Sequence, residues 1–153
     1  MIDSKPFASL LRRMIAFLID VVPITVAFFA LFYFTTDFKQ TVDRFFGENP
    51  TIEDRRQFLK ERNLVRDVSG LTYILYAAAL EASSMRGTFG KRMLGIQVVD
   101  SAGQRIRFRT AIGRNLSKMF SILPACIGCI AAFWSDKKQA WHDRIAGTYV
   151  TQR

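Results

Sequence analysis

Residues 14–34 read MIAFLIDVVPITVAFFALFYF, and this stretch decides the fold. Its 21 residues hold a single charged side chain, Asp20. As a helix rising about 1.5 Å per residue it would reach about 31 Å, enough for the roughly 30 Å hydrocarbon core of a bilayer. A cleaved secretory leader has an apolar core of about 7–15 residues followed by a small-residue site. This run is longer, carries an acid in its middle and continues into the bulky Phe28, Phe29, Phe32, Tyr33 and Phe34. It therefore reads as a retained signal anchor, with its last aromatic rings at the far membrane interface, where such rings are favoured.

Two further runs follow. Between Asp67 and Arg86 the only charge is Glu81, and Met119 to Ser135 holds none. As helices they would span about 27 and 26 Å, slightly short of the bilayer core. Half of the 153 residues are apolar while the net charge is +9, so the charges are segregated between the apolar runs. The expectation is one domain over residues 1–153: a mainly α membrane protein with about three hydrophobic spans, near 14–34, 68–85 and 119–135. These would be joined by an outer loop at 35–67, a basic segment at 86–118 and a tail at 136–153.

Charge sets the orientation. Residues 1–13 carry three basic groups against one acid, and residues 82–118 carry eight against Asp100 alone. Both belong at the cytoplasmic face by the positive-inside tendency, giving a multi-pass protein of the cytoplasmic (inner) membrane. The loop 35–67 balances seven basic with seven acidic groups and then faces outward. Within it Asn49-Pro50 turns the chain, Thr51 and Asp54 form a capping box, and Ile52, Phe58, Leu59 and Val65 share one helix face.

Residues Gly95–Asp100, a turn at Gly103 and residues Gln104–Phe108 alternate as a short cytoplasmic β-hairpin, and 147–151 reads as a C-terminal strand. Pairing of all three would hold the tail on the side of residues 87–113, whereas three full spans would separate them. Three spans is the default; the alternative is a re-entrant third run, bent at Pro124 and Gly128 and tolerated only if other spans bury it.

Asp20 is the first candidate for chemistry. A carboxylate two turns inside an apolar helix costs several kcal/mol unless it is paired, hydrated or protonated. It is either a protonatable or cation-binding group or a structural lock paired with a basic residue. Arg13, seven positions earlier, lies on the same face about 10 Å away along the axis. Glu81, one turn before Met85-Arg86, is an interfacial charge or a relay. Trp141-His142-Asp143-Arg144 holds the only histidine, but adjacent residues on a helix do not face one another. Neither a metal set nor a hydrolase set is completed.

Cys126 and Cys129 have redox spacing but sit in an uncharged apolar run and read as packing residues. Gly87-Thr-Phe-Gly-Lys91 lacks the full phosphate-loop spacing, since Arg92 follows the lysine. Lys91, Arg92, Arg105, Arg107 and Arg109 are expected to meet anionic lipid headgroups. No cofactor, metal, nucleic acid or enzymatic activity is expected.

Four ordered motifs carry a resemblance. Arg13-Met-Ile-Ala-Phe-Leu-Ile-Asp20, Gly87 through Asp100 with Gly103, Arg114-Asn115, and Trp141 through Val150 together resemble the RDD family of membrane proteins, named for one arginine and two aspartates. The resemblance covers nearly the whole chain apart from the outer loop. It implies that Arg13 is the family arginine and that Asp20 and Asp143 are the aspartates. It also implies a bacterial cytoplasmic membrane, and a transport role, including sodium/proton antiport, attributed to some members.

The expected function is ion or solute transport by a homo-oligomer. Asp20 would carry a proton or monovalent cation, Arg13 would set its field, and Glu81 would relay. Arg13 and Asp143 would meet in one polar cluster at the cytoplasmic interface; Lys91, Arg114, His142 and Arg144 are secondary site candidates. The alternative is a non-enzymatic membrane scaffold or accessory subunit, in which the buried charges fix helix packing.

Overall fold

Helix α1 covers Leu10–Thr35, 26 residues, so it extends beyond the apolar run at both ends. The computed structural model describes residues 6–122 and 139–153. Among these, α1 is the one helix long and apolar enough to cross a membrane by length and composition. Pro23 sits inside it without ending it. Only 11% of its most apolar window is buried, and Leu11, Leu18, Val22, Val26, Leu31 and Phe34 are exposed around its girth. A core helix of a soluble protein would bury such residues.

A short helix α2, Phe38–Phe45, follows at once. Helix α3 then runs unbroken over Ile52–Glu81, 30 residues. It opens as expected: the Asp54 N–H donates to Thr51 Oγ1 (3.1 Å) and the Thr51 N–H to Asp54 Oδ2 (2.9 Å). The helix does not break at Asp67, where the second span is expected to begin. The segment 51–67 holds no glycine or proline after the cap, so nothing stops the helix before it enters the apolar run. Its buried face runs through Val65, Ser69, Tyr73 and Ala77, while Ile52 and Leu59, grouped with Val65 from sequence, are exposed. Residues 82–85, the last of the expected second span, leave the helix, and Arg86 turns the chain at φ 53°.

Downstream lie α4 (Phe89–Met93), β1 (Ile96–Val99), α5 (Phe108–Ile122), α6 (Trp141–Ile145) and β2 (Tyr149–Gln152). Strand β1 pairs antiparallel with β2, Val98 facing Val150. The expected hairpin does not form. The turn exists, with the Gly103 N–H donating to the Asp100 carbonyl (3.0 Å), but residues 104–107 are not a strand and Phe108 begins α5. Both edges of β1 are already used: β2 takes one, and the Val98 N–H donates to the Arg86 carbonyl on the other (2.7 Å). The N-terminal segment joins β2 instead, through a bridge between Phe7 and Thr151 and an Ala8 N–H bond to the Val150 carbonyl (2.9 Å).

Two compact units divide the chain. Val21–Tyr73 is one, organised around Phe38, which meets Phe29 edge-on, and Phe58, which stacks on Phe45 at 4.1 Å. Met1–Asp20 with Ile74–Arg153 is the other, with a core of Ala8, Ala16, Ala78, Ile96, Val98, Ile106, Ala111 and Val150. The third apolar run from Leu123 onward lies outside the described residues, as do Cys126 and Cys129.

Candidate functional site

The site is built on one face of α1, where Arg13, Ala16 and Asp20 recur at helical spacing. Ala16 and Asp20 are buried. Against them lies α4, whose first turn is set by Thr88: its hydroxyl accepts from the Lys91 N–H. The Gly90 N–H donates to Asp20 Oδ1 at 2.8 Å. A Cβ at Gly90 would be driven into the Ala16 carbonyl oxygen and would lie 3.0 Å from Asp20 Oδ2. Small residues on both elements therefore let backbone approach backbone. Tyr76 of α3 completes the arrangement: its hydroxyl donates to Asp20 Oδ1 (3.2 Å) and accepts from the Phe89 N–H (3.1 Å). Asp20 Oδ2 is buried with no hydrogen-bond partner among the described residues, and no basic side chain there lies within ion-pair distance of Asp20.

Arg13, Glu81, Lys91, Arg114 and Asp143 form a second, charged layer. Glu81 is completely buried. Its Oε1 accepts from Lys91 Nζ, and its Oε2 accepts from Arg114 Nη1 (2.8 Å) and Asn115 Nδ2 (3.0 Å). Arg114 turns its other edge to Asp143, with Nε at 2.9 Å and Nη2 at 2.7 Å from Oδ1. Asp143 Oδ2 accepts from Arg13 Nη1 at 2.8 Å. Lys118 Nζ stands 3.9 Å from Glu81 Oε1.

Burial alone would lower the Arg114 pKa, but the two carboxylates outweigh it and hold the guanidinium above its ordinary value. Burial pushes Asp143 up; Arg114, His142 and Arg13 together bring it below the usual carboxylate range. For His142, 3.5 Å from Asp143 Oδ1, burial prevails and the imidazole falls to about 3. It is neutral near pH 7, so that contact is not an ion pair.

The two layers are joined. Gly90, which holds Asp20, is followed directly by Lys91, which holds Glu81. From Glu81 the chain of contacts passes through Arg114 and Asp143 to Arg13, back on α1. The structure thus brings together Arg13, Glu81, Lys91, Arg114 and Asp143, and sets Asp20 one helical layer away. Arg144 is exposed and stands apart. Glu81 is no interfacial charge, because its partners close over it. Lys91 does not face headgroups, because Glu81 draws it inward and it is buried. Ala16, Tyr76 and Gly90 were not singled out from sequence. Gly90 and Ala16 lie inside the quoted motifs, whereas Tyr76 carries no local signal.

The profile of the RDD family matches residues 7–147. The chain belongs to the RDD family. It is also 31% identical over 146 residues to the uncharacterized protein YxaI of Bacillus subtilis (strain 168), an alignment covering 92% of this chain and 94% of that one. No solved structure shows a significant match. The RDD family is membrane-associated, in keeping with the apolar, exposed α1. Of the three residues that the resemblance picks out, Arg13 and Asp143 are direct partners, and Asp20 is bound instead to the backbone of the central glycine-rich motif.

Close approach at Gly90 gives a testable consequence. Gly90→Ala is expected to destabilise the protein by about 1–3 kcal/mol through overpacking against the Ala16 backbone. Gly113→Ala, in α5 with open space at its Cβ, should stabilise by about 0.5–1 kcal/mol. Thermal melts of the two variants in detergent check the pair. Equal melting temperatures would show that α1 and α4 do not meet closely at Gly90.

Proposed function

We infer that the chain is a multi-pass protein of the cytoplasmic membrane. It exchanges a proton held on Asp20 against a monovalent cation, and it works as a homo-oligomer. One observation carries this reading: Asp20 Oδ2 is buried, in the most apolar helix, without a donor or a cation among the described residues. A permanently paired carboxylate cannot load and unload a proton, whereas one with a free oxygen can. Oδ2 is the atom at which the proton would be held, and the bonds to Oδ1 keep the group in place in both forms. The reading is of a carrier rather than an enzyme.

The charged layer supports the reading as the fixed frame against which Asp20 works. The helices among the described residues are too few to enclose a path alone, and the exposed apolar girth of α1 suits contact with neighbouring copies or lipid. A second reading, a membrane scaffold or accessory subunit, is favoured by the saturation of Glu81 and Asp143 with ion pairs, which makes them a packing lock. Flux separates the two. Vesicles holding only the purified protein should dissipate a pH gradient when an alkali cation is supplied, and a scaffold leaves the gradient intact.

The sheet bears on topology. We read residues 96–99 and 149–152, which pair as β1 and β2, as lying on one side of the membrane. Ala8 bonds to Val150, so the same holds for residues 8 and 96. This supports α1 crossing outward and α3 returning.

In a background with Cys126 and Cys129 replaced by serine, cysteines at Ser101 and Arg153 should both resist an impermeant reagent applied to intact cells. A cysteine at Glu48 should react. Opposite behaviour at Ser101 and Arg153 would contradict the shared side.

A further inference from the structure

We propose that the open cleft between residues 100–110 and 146–148 is a binding site for the phosphodiester headgroup of an anionic phospholipid. The cleft holds about 420 Å³ and is lined by Arg105, Arg107, Thr110, Gly147 and Thr148, with Asp100 and Gln104 at the turn. Ile106 is buried and anchors the segment, while Arg105 and Arg107 on either side of it are exposed. The one acid of the lining is occupied: Asp100 Oδ1 accepts from the Ala102 N–H (2.9 Å) and the Gln104 N–H (2.8 Å) of its own turn. The lining carries two arginines against that one acid, so its net charge is positive, and guanidinium forks suit phosphate oxygens.

Two features favour a lipid over a soluble phosphate. Phe108, 51% exposed, and Ile145, 71% exposed, sit beside Arg107 and Ala146 in sequence. Apolar tips next to cations are the arrangement of a surface lying at the headgroup boundary. The cleft is also tied to the foot of the apolar helix: Thr148 leads directly into β2, whose Val150 carbonyl holds the Ala8 N–H, two residues before α1 begins. The inference rests on α1 being in the bilayer, and it is independent of what Asp20 does.

The test uses the full chain in neutral detergent, with binding of phosphatidylglycerol and phosphatidylcholine measured by native mass spectrometry. Phosphatidylglycerol should bind more tightly. Each basic residue near an anionic surface contributes about fivefold, so Arg105→Gln with Arg107→Gln should weaken it roughly thirtyfold. Thr110→Glu, which places a carboxylate in the cleft and removes no arginine, should produce a loss of the same direction. Asp20→Asn should leave lipid affinity unchanged, so that failure of this site and failure of the exchange reading remain distinct. Three results would overturn the proposal: equal affinity for the two lipids; phosphatidylglycerol binding unaltered in both cleft variants; or displacement by inorganic phosphate where chloride at equal ionic strength has no effect. The last would mark a free-anion site.

Discussion

Replacing Arg114 with methionine is expected to cost about 3–5 kcal/mol of folding stability, the penalty for leaving a buried charge without its partner. Arg114 is the centre of the charged layer: one guanidinium edge serves Glu81 and the other Asp143, and all three side chains are essentially buried. Lysine keeps the charge but cannot serve both carboxylates with a planar fork, so Arg114→Lys should recover only part of the loss.

A double-mutant cycle with Asp143→Asn isolates the pair, and its coupling should be large because the contact is dry. The effect also has a pH signature. Asp143 is held below its ordinary range, so its stabilising contribution is complete above its unfolded pKa of about 3.9 and is lost as pH falls further. The gap between wild type and Arg114→Met should therefore narrow on acidification, as Asp143 takes up its proton. Equal melting of the two at pH 7 would show that the bridge contributes nothing.

Much of the fold was legible because its strongest signals are local. The uninterrupted apolar run gave α1, and Thr51 with Asp54 gave the start of α3. The continuity of α3 was hidden because a charged stretch and an apolar stretch look like two elements, although helix propensity does not change at Asp67. The hairpin reading failed for a different reason. Residues 104–108 alternate as a strand would, but β2 and Arg86 had taken both edges of β1, which no local pattern reveals.

The site divides in the same way. Asp20 announced itself as a charge in an apolar run, yet its main partner is a backbone N–H, which has no sequence identity beyond the glycine that lets it approach. Glu81 looked interfacial because Arg86 is near in sequence. Its true partners come from α4 and α5, and contacts over such separations leave no trace in spacing. The meeting of Arg13 with Asp143 followed from the expectation that the C-terminal strand folds back, and the sheet register supplies the geometry.

The second large effect concerns Asp20, and here the expected change is in function rather than stability. Asparagine keeps an acceptor oxygen for the Gly90 N–H and the Tyr76 hydroxyl, and its amide takes the place of Oδ2, which already lacks a partner. The variant should therefore insert, fold and melt close to wild type. What it loses is the ability to take up and release a proton at that position.

If Asp20 carries the exchanged proton, Asp20→Asn should reduce proton-coupled cation flux to the level of protein-free vesicles at every pH. The most direct measurement is cation-driven dissipation of a pH gradient in vesicles, recorded across pH for wild type and Asp20→Asn side by side, with a thermal melt of each. The account predicts pH-dependent flux in the wild type and none in a folded Asp20→Asn protein; undiminished flux in that folded variant would contradict it.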